Sequence, residues 1–402
     1  MFWERQFQSA LGRMSQEVDA PVRLVLWDGS EYSFADAPAV TIRLKDTEAA
    51  HKFSNPDLLS LAEAYIDGHI ELEGPISEVI RVAESIARTG KPGLLEGLRE
   101  ACSRHTRSID RDSIRYHYDV SNDFYTLWLD RRMVYSCAYF RTHGDTLEQA
   151  QENKLDHICR KLRIKPGDRL LDIGCGWGAL AMWAAEKYGA DATGITLSEN
   201  QHRLANERIA SAGLQDRCRV VLQDYRDHEG EQRYDRIASV GMFEHVGLKN
   251  LPVYFATVAR LLKERGTFLN HGITSMDVDN RWVGMRAGEF IDKYVFPNGE
   301  LPHLSVAVRE MSAHQLEVAD VEGLRPHYAK TLQHWSDRYE GHLRRAAEAS
   351  DERTARIWRV YLAGCAHAFE QGWVSIYQVL ATKQSTPGRG PLPLTREYMY
   401  AH

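Results

Sequence analysis

Apolar and polar positions follow two rhythms along this chain, one of period two and one near 3.6 residues. From Gly167 onward the two alternate regularly. Short apolar runs at Arg169–Ile173, Ala192–Thr196, Arg219–Leu222, Asp235–Val240 and Thr267–Asn270 read as strands. Stretches with helical spacing at 179–188, 199–212 and about 250–263 lie between them. A helix over Thr146–Leu162 precedes the series, with Leu147, Ala150, Leu155, Ile158 and Leu162 near one side. Strand and helix in alternation predict parallel pairing with helices on both faces, an α/β doubly wound sheet. Val374–Thr382 reads as a final strand. The long stretch 274–310 breaks the rhythm and predicts an inserted cap of helices and loops over the site.

The N-terminal part has a different texture. Residues 1–50 read as a short helix followed by β structure, with Val22–Trp27 partly alternating, a turn signal at Asp28-Gly29 and renewed alternation at Thr41–Leu44. A helix capped by Asn55, with Pro56 at its first position, carries the stripe Leu58, Leu59, Ala62, Tyr65 and Ile66 and stops at Gly68. A second helix runs from about Ser77 to Thr89, closed by Gly90 and Pro92. The predicted organisation is a small α+β domain over 1–100, a linker over 101–115 and a catalytic domain over 116–402. The tail Thr386–Pro393, rich in Pro and Gly, predicts a loosely held end.

Composition narrows the class. At 402 residues the chain is long for one core, and 43% hydrophobic with 26% charged residues is ordinary for a globular protein. A net charge of −6 argues against nucleic acid as the main partner. No apolar run reaches the length of a membrane span, and Met1-Phe2-Trp3-Glu4-Arg5 lacks the basic-then-apolar pattern of a signal peptide. Cys102, Cys137, Cys159, Cys175, Cys218 and Cys365 show no regular spacing, which predicts reduced thiols in a cytoplasmic protein. Arg99, Arg104, Arg107, Arg111 and Arg115 fall at nearly helical spacing. They read either as a solvated linker face or as a surface for anionic headgroups, where each basic residue is worth about 1 kcal/mol.

Candidate chemistry begins at Leu170–Gly178, where an apolar strand runs into three glycines in five positions and then a helix. Such a turn permits unusual backbone angles and close ligand approach, and the helix start offers free N–H groups. Its G-x-G-x-G spacing departs from the dinucleotide pattern G-x-G-x-x-G and leans towards S-adenosylmethionine; an NAD site or an ordinary tight turn are the alternatives. Ligands of open α/β sheets bind at the carboxyl ends of the strands. Those ends here carry Gly174-Cys175-Gly176, then Thr196-Leu197-Ser198 with Gln201 a turn on, then Gln223-Asp224-Tyr225, Glu244-His245 and His271-Gly272-Ile273. Polar groups at five strand ends in register predict one cleft. Gln223 and Asp224 are placed for an adenine or ribose edge, with a helix N-cap as the plainer role of Asp224. Glu244 and His271 are the acid/base candidates. For Cys137, Cys175 and Cys365 a buried thiol is the default, because spacing gives none of them a partner that would form thiolate.

Seven stretches then carry a family resemblance: Tyr116–Tyr125, Tyr135-Ser136-Cys137, Leu171–Gly178, Gly194–Ser198, Ser239–Gly247, Lys293–Gly299 and His327–Leu332. In this order they resemble the cyclopropane-fatty-acyl-phospholipid synthases, mycolic acid cyclopropane synthases among them, over about residues 108–384. The first 100 residues look like that family's smaller lipid-handling domain. The resemblance implies a Rossmann-like class I S-adenosylmethionine-dependent methyltransferase domain. It implies methylene transfer from S-adenosylmethionine to the cis double bond of a phospholipid acyl chain, with bicarbonate as base. The family's bicarbonate cage maps onto Cys137, Glu244, His271, Ile273 and Tyr328, the last two partly through backbone and hydroxyl. Cys365, in Leu362–Ala366, matches a cysteine assigned an active-site role, although the mechanism requires no thiolate. Cofactor binding maps onto Tyr135, Ser136, Gly174, Cys175, Gly176, Gly178, Thr196, Ser198, Gln201, Gln223, Asp224 and Tyr225. A carbocation needs a dry site lined by aromatic faces, which gives the 116–140 and 290–296 segments a role beyond packing. Glu244 beside an anion is expected to be protonated or to accept from the bicarbonate hydroxyl. Further expectations are transient contact with the inner membrane surface and a homodimer through the N-terminal module. The competing readings are a methyltransferase making methyl-branched or methylene acyl chains, and a catalytically silent lipid binder.

Overall fold

The computed structural model describes residues 2–17, 20–90, 121–278, 287–297, 299–383 and 392–400. The arginine series Arg99–Arg115, the Tyr116–Val120 half of the first motif, Arg281-Trp282 and most of the Pro/Gly-rich tail lie outside these residues. The chain divides into two compact units. The first comprises Met1–Cys102, Trp282–Pro297 and Trp335–Gln371; the second comprises Ser103–Arg281, Asn298–His334 and Gly372–His402.

The first unit holds a four-stranded sheet of order β2-β1-β3-β4, formed by β1 (Val22–Val25), β2 (Glu31–Ser33), β3 (Val40–Leu44) and β4 (Ile70–Glu73). β1 and β2 form the hairpin expected at Asp28-Gly29: Gly29 takes φ +86° and Asp28 Oδ1 accepts the Ser30 N–H at 2.9 Å. β3 runs parallel to β1 and antiparallel to β4. The helices Phe2–Glu17, Thr47–Ser54, Leu58–Ile66 and Ile76–Arg88 cover this sheet over a core that includes Val22, Leu24, Ile42, Phe53, Val79 and Ile86. The cap of the helix Leu58–Ile66 differs from expectation. Asp57, not Asn55, caps Leu58–Ile66, because its carboxylate reaches the Ser60 N–H at 3.0 Å.

The first unit's N-terminal segment ends near residue 100, and the unit also takes in two segments from later in the chain. The helix Glu352–Gln371 contributes Val360 and Ala363 to the N-terminal core, and His367 Nε2 meets Glu84 Oε2 at 2.5 Å. Lys293 and Tyr294 both donate to Glu63 Oε1, at 2.7 and 3.1 Å. The expected cap over 274–310 is accordingly divided. Its helix Ala287–Tyr294 belongs to the first unit, while Leu304–Ala313 belongs to the second.

The second unit is built on a seven-stranded sheet of order β10-β11-β9-β8-β5-β6-β7. Its strands are β5 (Arg169–Ile173), β6 (Asp191–Thr196), β7 (Cys218–Leu222), β8 (Tyr234–Val240), β9 (Leu262–Ser275), β10 (Leu316–Gly323) and β11 (Val374–Lys383). β5 to β9 pair in parallel, and β11 lies antiparallel between β9 and β10. The helices Ala179–Tyr188, Glu199–Ser211 and Leu251–Leu261 alternate with the parallel strands, as the sequence rhythm predicts for a doubly wound fold. The strand order reverses at β5, so the crevice at its carboxyl end is where such folds bind ligands. The helix Leu147–Leu162 opens with a capping box, Thr146 and Gln149 satisfying each other's backbone N–H groups, worth about 1 kcal/mol. No helix among the described residues is long and apolar enough to cross a membrane.

Candidate functional site

At the switch point, β5 ends in Ile173 and the chain enters Gly174 and Gly176 at φ +76° and +54°. Both values lie in the left-handed region that L side chains avoid, and a Cβ on Gly176 would stand in open space. That space belongs to a cavity lined by Tyr135, Ser136, Gly174, Cys175, Gly176, Thr196, Gln201, Gln223, Asp224 and Tyr225. Ten of the twelve residues expected to bind the cofactor therefore face one cavity. Gly178 and Ser198 do not line it. Gly178 precedes the helix Ala179–Tyr188, with Ala205 and Val220 at its back. Ser198 caps Glu199–Ser211 by accepting the Gln201 N–H.

Side-chain partners refine the assignments. Thr196 Oγ1 donates to Gln201 Oε1 at 2.7 Å, fixing the end of β6 to the helix that follows. Asp224 is both a cap and a pocket residue: it accepts the Arg226 N–H at 2.9 Å and takes the Arg226 guanidinium on both oxygens, 2.6 to 3.1 Å away. Two side-chain bonds hold the Gln223 amide. Its Oε1 meets His228 Nδ1 at 2.7 Å and its Nε2 donates to Asp227 O at 3.2 Å. The cavity wall also holds His245, one of the strand-end residues, and Lys154, Asp172, Trp177 and Met242, which strand-end reasoning missed. Lys154 and Asp172 were hidden because one lies inside a helix and the other inside a strand.

The segment before the sheet is shaped by its own hydrogen bonds. Asp130 accepts the N–H groups of Arg132 and Val134 at 2.8 Å each, and Met133 takes φ +56° between them. The helix Leu147–Leu162 then grips residues 134–136. Gln151 Nε2 donates to Ser136 O at 2.9 Å, and Lys154 Nζ, three residues on, donates to Ser136 Oγ at 2.7 Å. Tyr125, Trp128, Tyr135 and Trp177 form an aromatic wall with successive ring centroids 5.1–5.8 Å apart. The other aromatic segment, with Phe290, Tyr294 and Phe296, lies in the first unit, where Phe296 packs on Tyr361.

A second group of buried polar atoms stands where β8, β9 and β11 adjoin. After β8, Gly241 N–H donates to His271 O at 2.9 Å, and the turn Phe243–His245 places Glu244 under β9. Glu244 Oε1 accepts the Ile273 N–H at 2.6 Å. The Ile273 amide, expected to serve the cage directly, is therefore spent on Glu244. Glu244 Oε2 has no hydrogen-bond partner among the described residues, and neither has His271 Nε2. Burial pushes the Glu244 carboxyl up to about 7, against the opposing pull of the Ile273 N–H. Burial holds His271 well below its usual range, with Lys154 and Lys161 adding to the effect, so the imidazole is neutral. Gln378, the cross-strand neighbour of His271 on β11, donates its amide to Nδ1 at 3.2 Å. That bond fixes the ring hydrogen on Nε2.

Cys137 and Tyr328 reach the same neighbourhood through the backbone. Leu324 N–H donates to Ile376 O at 2.9 Å, and Ile376 pairs with Ile273. Cys137 Sγ lies 3.9 Å from Leu324 O, and Tyr328 N–H bonds Leu324 O at 3.0 Å one helical turn on. Both side chains are buried. Burial pushes the Cys137 thiol up, so it is no thiolate. Tyr139 beside it stacks between His157 and His327, with centroids at 4.3 and 4.8 Å. Cys365 lies on Glu352–Gln371 in the first unit, where burial pushes its thiol up to about 12.

Residues 105–379 match the family "Mycolic acid cyclopropane synthetase", and residues 11–89 match a domain of unknown function. A "Probable fatty acid methyltransferase" from Pseudomonas putida is 49% identical, covering 96% of this chain and 98% of its own. A "Cyclopropane-fatty-acyl-phospholipid synthase" from Escherichia coli is 38% identical over 86% of this chain and 88% of its own. The crystal structure of a mycolic acid cyclopropane synthase complexed with SAH and CTAB superposes with a TM-score of 0.65 at 36% identity, over 68% of this chain and 98% of that one.

Proposed function

As a member of the mycolic acid cyclopropane synthetase family of S-adenosylmethionine-dependent methyltransferases, this chain carries, we propose, a one-carbon unit from S-adenosylmethionine to the cis double bond of an unsaturated phospholipid acyl chain and closes it to a cyclopropane. When bound, S-adenosylmethionine supplies an electrophilic methyl group and bicarbonate supplies the base for the proton that ring closure releases.

The observation that carries this reading is the pair of buried atoms without a partner among the described residues, Glu244 Oε2, whose carboxyl is held by the Ile273 N–H, and His271 Nε2 on the same strand as Ile273. A protonated carboxyl and a neutral Nε2–H imidazole are two donors with no acceptor, which is the chemistry a small oxyanion needs. Glu244, His271, Tyr328 and Cys137 would hold bicarbonate, with Ile273 acting through Glu244. Glu244 keeps its proton at Oε2 because burial disfavours its charged form. Gln378 keeps the His271 hydrogen on Nε2. Tyr125, Trp128, Tyr135 and Trp177 exclude water from the donor cavity and offer π faces to positive charge. None of the buried thiols competes as a nucleophile, since burial pushes Cys137, Cys175 and Cys365 up.

A phospholipid acceptor requires the protein to work at a bilayer surface, and the E. coli relative's name supports that substrate class. The name of the P. putida relative favours a second reading, a methyl-branched fatty acyl product. One experiment tests both. Purified protein is incubated with S-adenosylmethionine and vesicles of cis-monounsaturated phospholipid, and the acyl product is identified by mass spectrometry and proton NMR. Upfield ring-proton signals are expected, lost in Glu244→Ala. A methyl-branched or methylene product would replace ring closure by the second reading, and binding without turnover would overturn both.

A further inference from the structure

The helix Leu147–Leu162 buries an ammonium group against the donor cavity. Lys154 is 1% exposed, yet among the described residues no carboxylate pairs with its Nζ, and Asp130 and Asp172 act on it only at longer range. Its hydrogen-bond partner there is neutral, the Ser136 hydroxyl at 2.7 Å. On the same cavity wall stands Asp172 on β5, 2% exposed and beyond ion-pair distance of Lys154. Two opposite charges buried side by side without closing on each other are costly, since each has lost water and neither has gained an opposite charge in contact. Burial shifts both towards neutrality: Lys154 down to about 8 against the opposing pull of Cys137, Asp130 and Asp172, and Asp172 up to about 7 against that of Lys154. A ligand with one negative and one positive group at its end would satisfy both.

We propose that Lys154 is the residue that recognises the carboxylate of the cofactor's amino-acid end, directly and through Ser136, while Asp172 faces the ligand's ammonium. The Ser136 hydroxyl accepts from Nζ, so its own hydrogen is free to point at the same carboxylate. Gln151 holds Ser136 from the backbone side at 2.9 Å, so the pair is set before a ligand arrives. The arrangement selects a zwitterion over an adenosine that merely fills the cavity, because the charge-assisted bonds exist only when the carboxylate is present. Lys154 is thus a specificity-determining residue for the donor, placed in the interior of a helix where sequence inspection assigns it no role.

The test is a binding cycle by calorimetry with three ligands. S-adenosylhomocysteine carries the whole amino-acid end, its decarboxylated analogue lacks only the carboxylate, and 5′-methylthioadenosine lacks the whole end. For Lys154→Met the affinity for S-adenosylhomocysteine is expected to fall roughly tenfold to a hundredfold, with the two truncated ligands changing less than about threefold. Lys154→Gln, which keeps a donor towards Ser136, gives the same ordering if the Met variant does not fold. Equal losses for all three ligands would make Lys154 a merely structural residue. An unchanged S-adenosylhomocysteine affinity would overturn the proposal outright.

Discussion

The Ile273 N–H donates to Glu244 Oε1 at 2.6 Å and leaves Glu244 Oε2 buried without a partner among the described residues. One backbone bond thereby orients a carboxyl group whose other oxygen faces the place where a small anion is proposed to sit. Burial, acting against that bond, makes the protonation state of Glu244 measurable as stability. Its carboxyl titrates near 4.5 when unfolded and near 7 when folded, so the folded state holds the extra proton between these values. Stability falls as pH rises through that window, and above it the buried charge costs on the order of 3 kcal/mol. In bicarbonate-depleted buffer, Glu244→Gln is expected to unfold at a higher temperature than the parent at pH 8, with the two converging as pH falls towards 4.5. A parent more stable than the variant at pH 8 would mean an ionised, paired Glu244.

Gln378→Leu removes the donor to His271 Nδ1 while keeping the volume of the β11 side chain. Product formation is expected to drop about tenfold with little change in S-adenosylmethionine affinity, the size of one lost neutral hydrogen bond. The ring-nitrogen NMR signals of His271 should report hydrogen on Nε2 in the parent and a tautomer mixture in the variant. A parent ring with hydrogen on Nδ1 would reverse the donor role assigned to Nε2.

Gly272 sits between His271 and Ile273, and a Cβ there would meet Phe243 at 2.8 Å. Gly272→Ala therefore pushes on the residue next to Glu244. We expect a loss of roughly 1–3 kcal/mol from overpacking, with turnover reduced as well. Adding Phe243→Leu should recover part of the stability. If denaturant unfolding shows the single variant to be neutral, Phe243 yields freely and does not brace Glu244.

Cys365→Ser is expected to keep turnover within about twofold of the parent, because a thiol held up to about 12 supplies no thiolate near neutral pH. Rate measurements from pH 6.5 to 8.5 check this. A loss beyond tenfold would restore a catalytic role to that side chain.

Strands β5 to β8 and their intervening helices lie within a residue or two of where apolar periodicity puts them, because each is a buried run bounded by clear turn chemistry. β9 extends further than its apolar stretch at both ends: the polar Lys263-Glu264-Arg265 belongs to the strand although Arg265 turns into the left-handed region at φ +60°, and His271–Ser275 are paired to β11. β10 was illegible, since Leu316–Gly323 is an acidic edge strand whose Asp320 and Glu322 are held by Lys161 and His157.

By itself the sequence determined the doubly wound sheet, the glycine turn and the identities of Glu244, His271 and most of the cavity lining. These depend on local periodicity and on the rule that strand ends meet in one crevice. Only the tertiary structure decided that Ile273 serves Glu244, that Gln378 sets the His271 tautomer, and that Lys154 and Asp172 share the cavity wall. It also assigned Glu352–Gln371, and Cys365 with it, to the first unit. Each of these depends on which side chains lose water together across residues far apart in the chain, and burial of that kind has no local pattern to read.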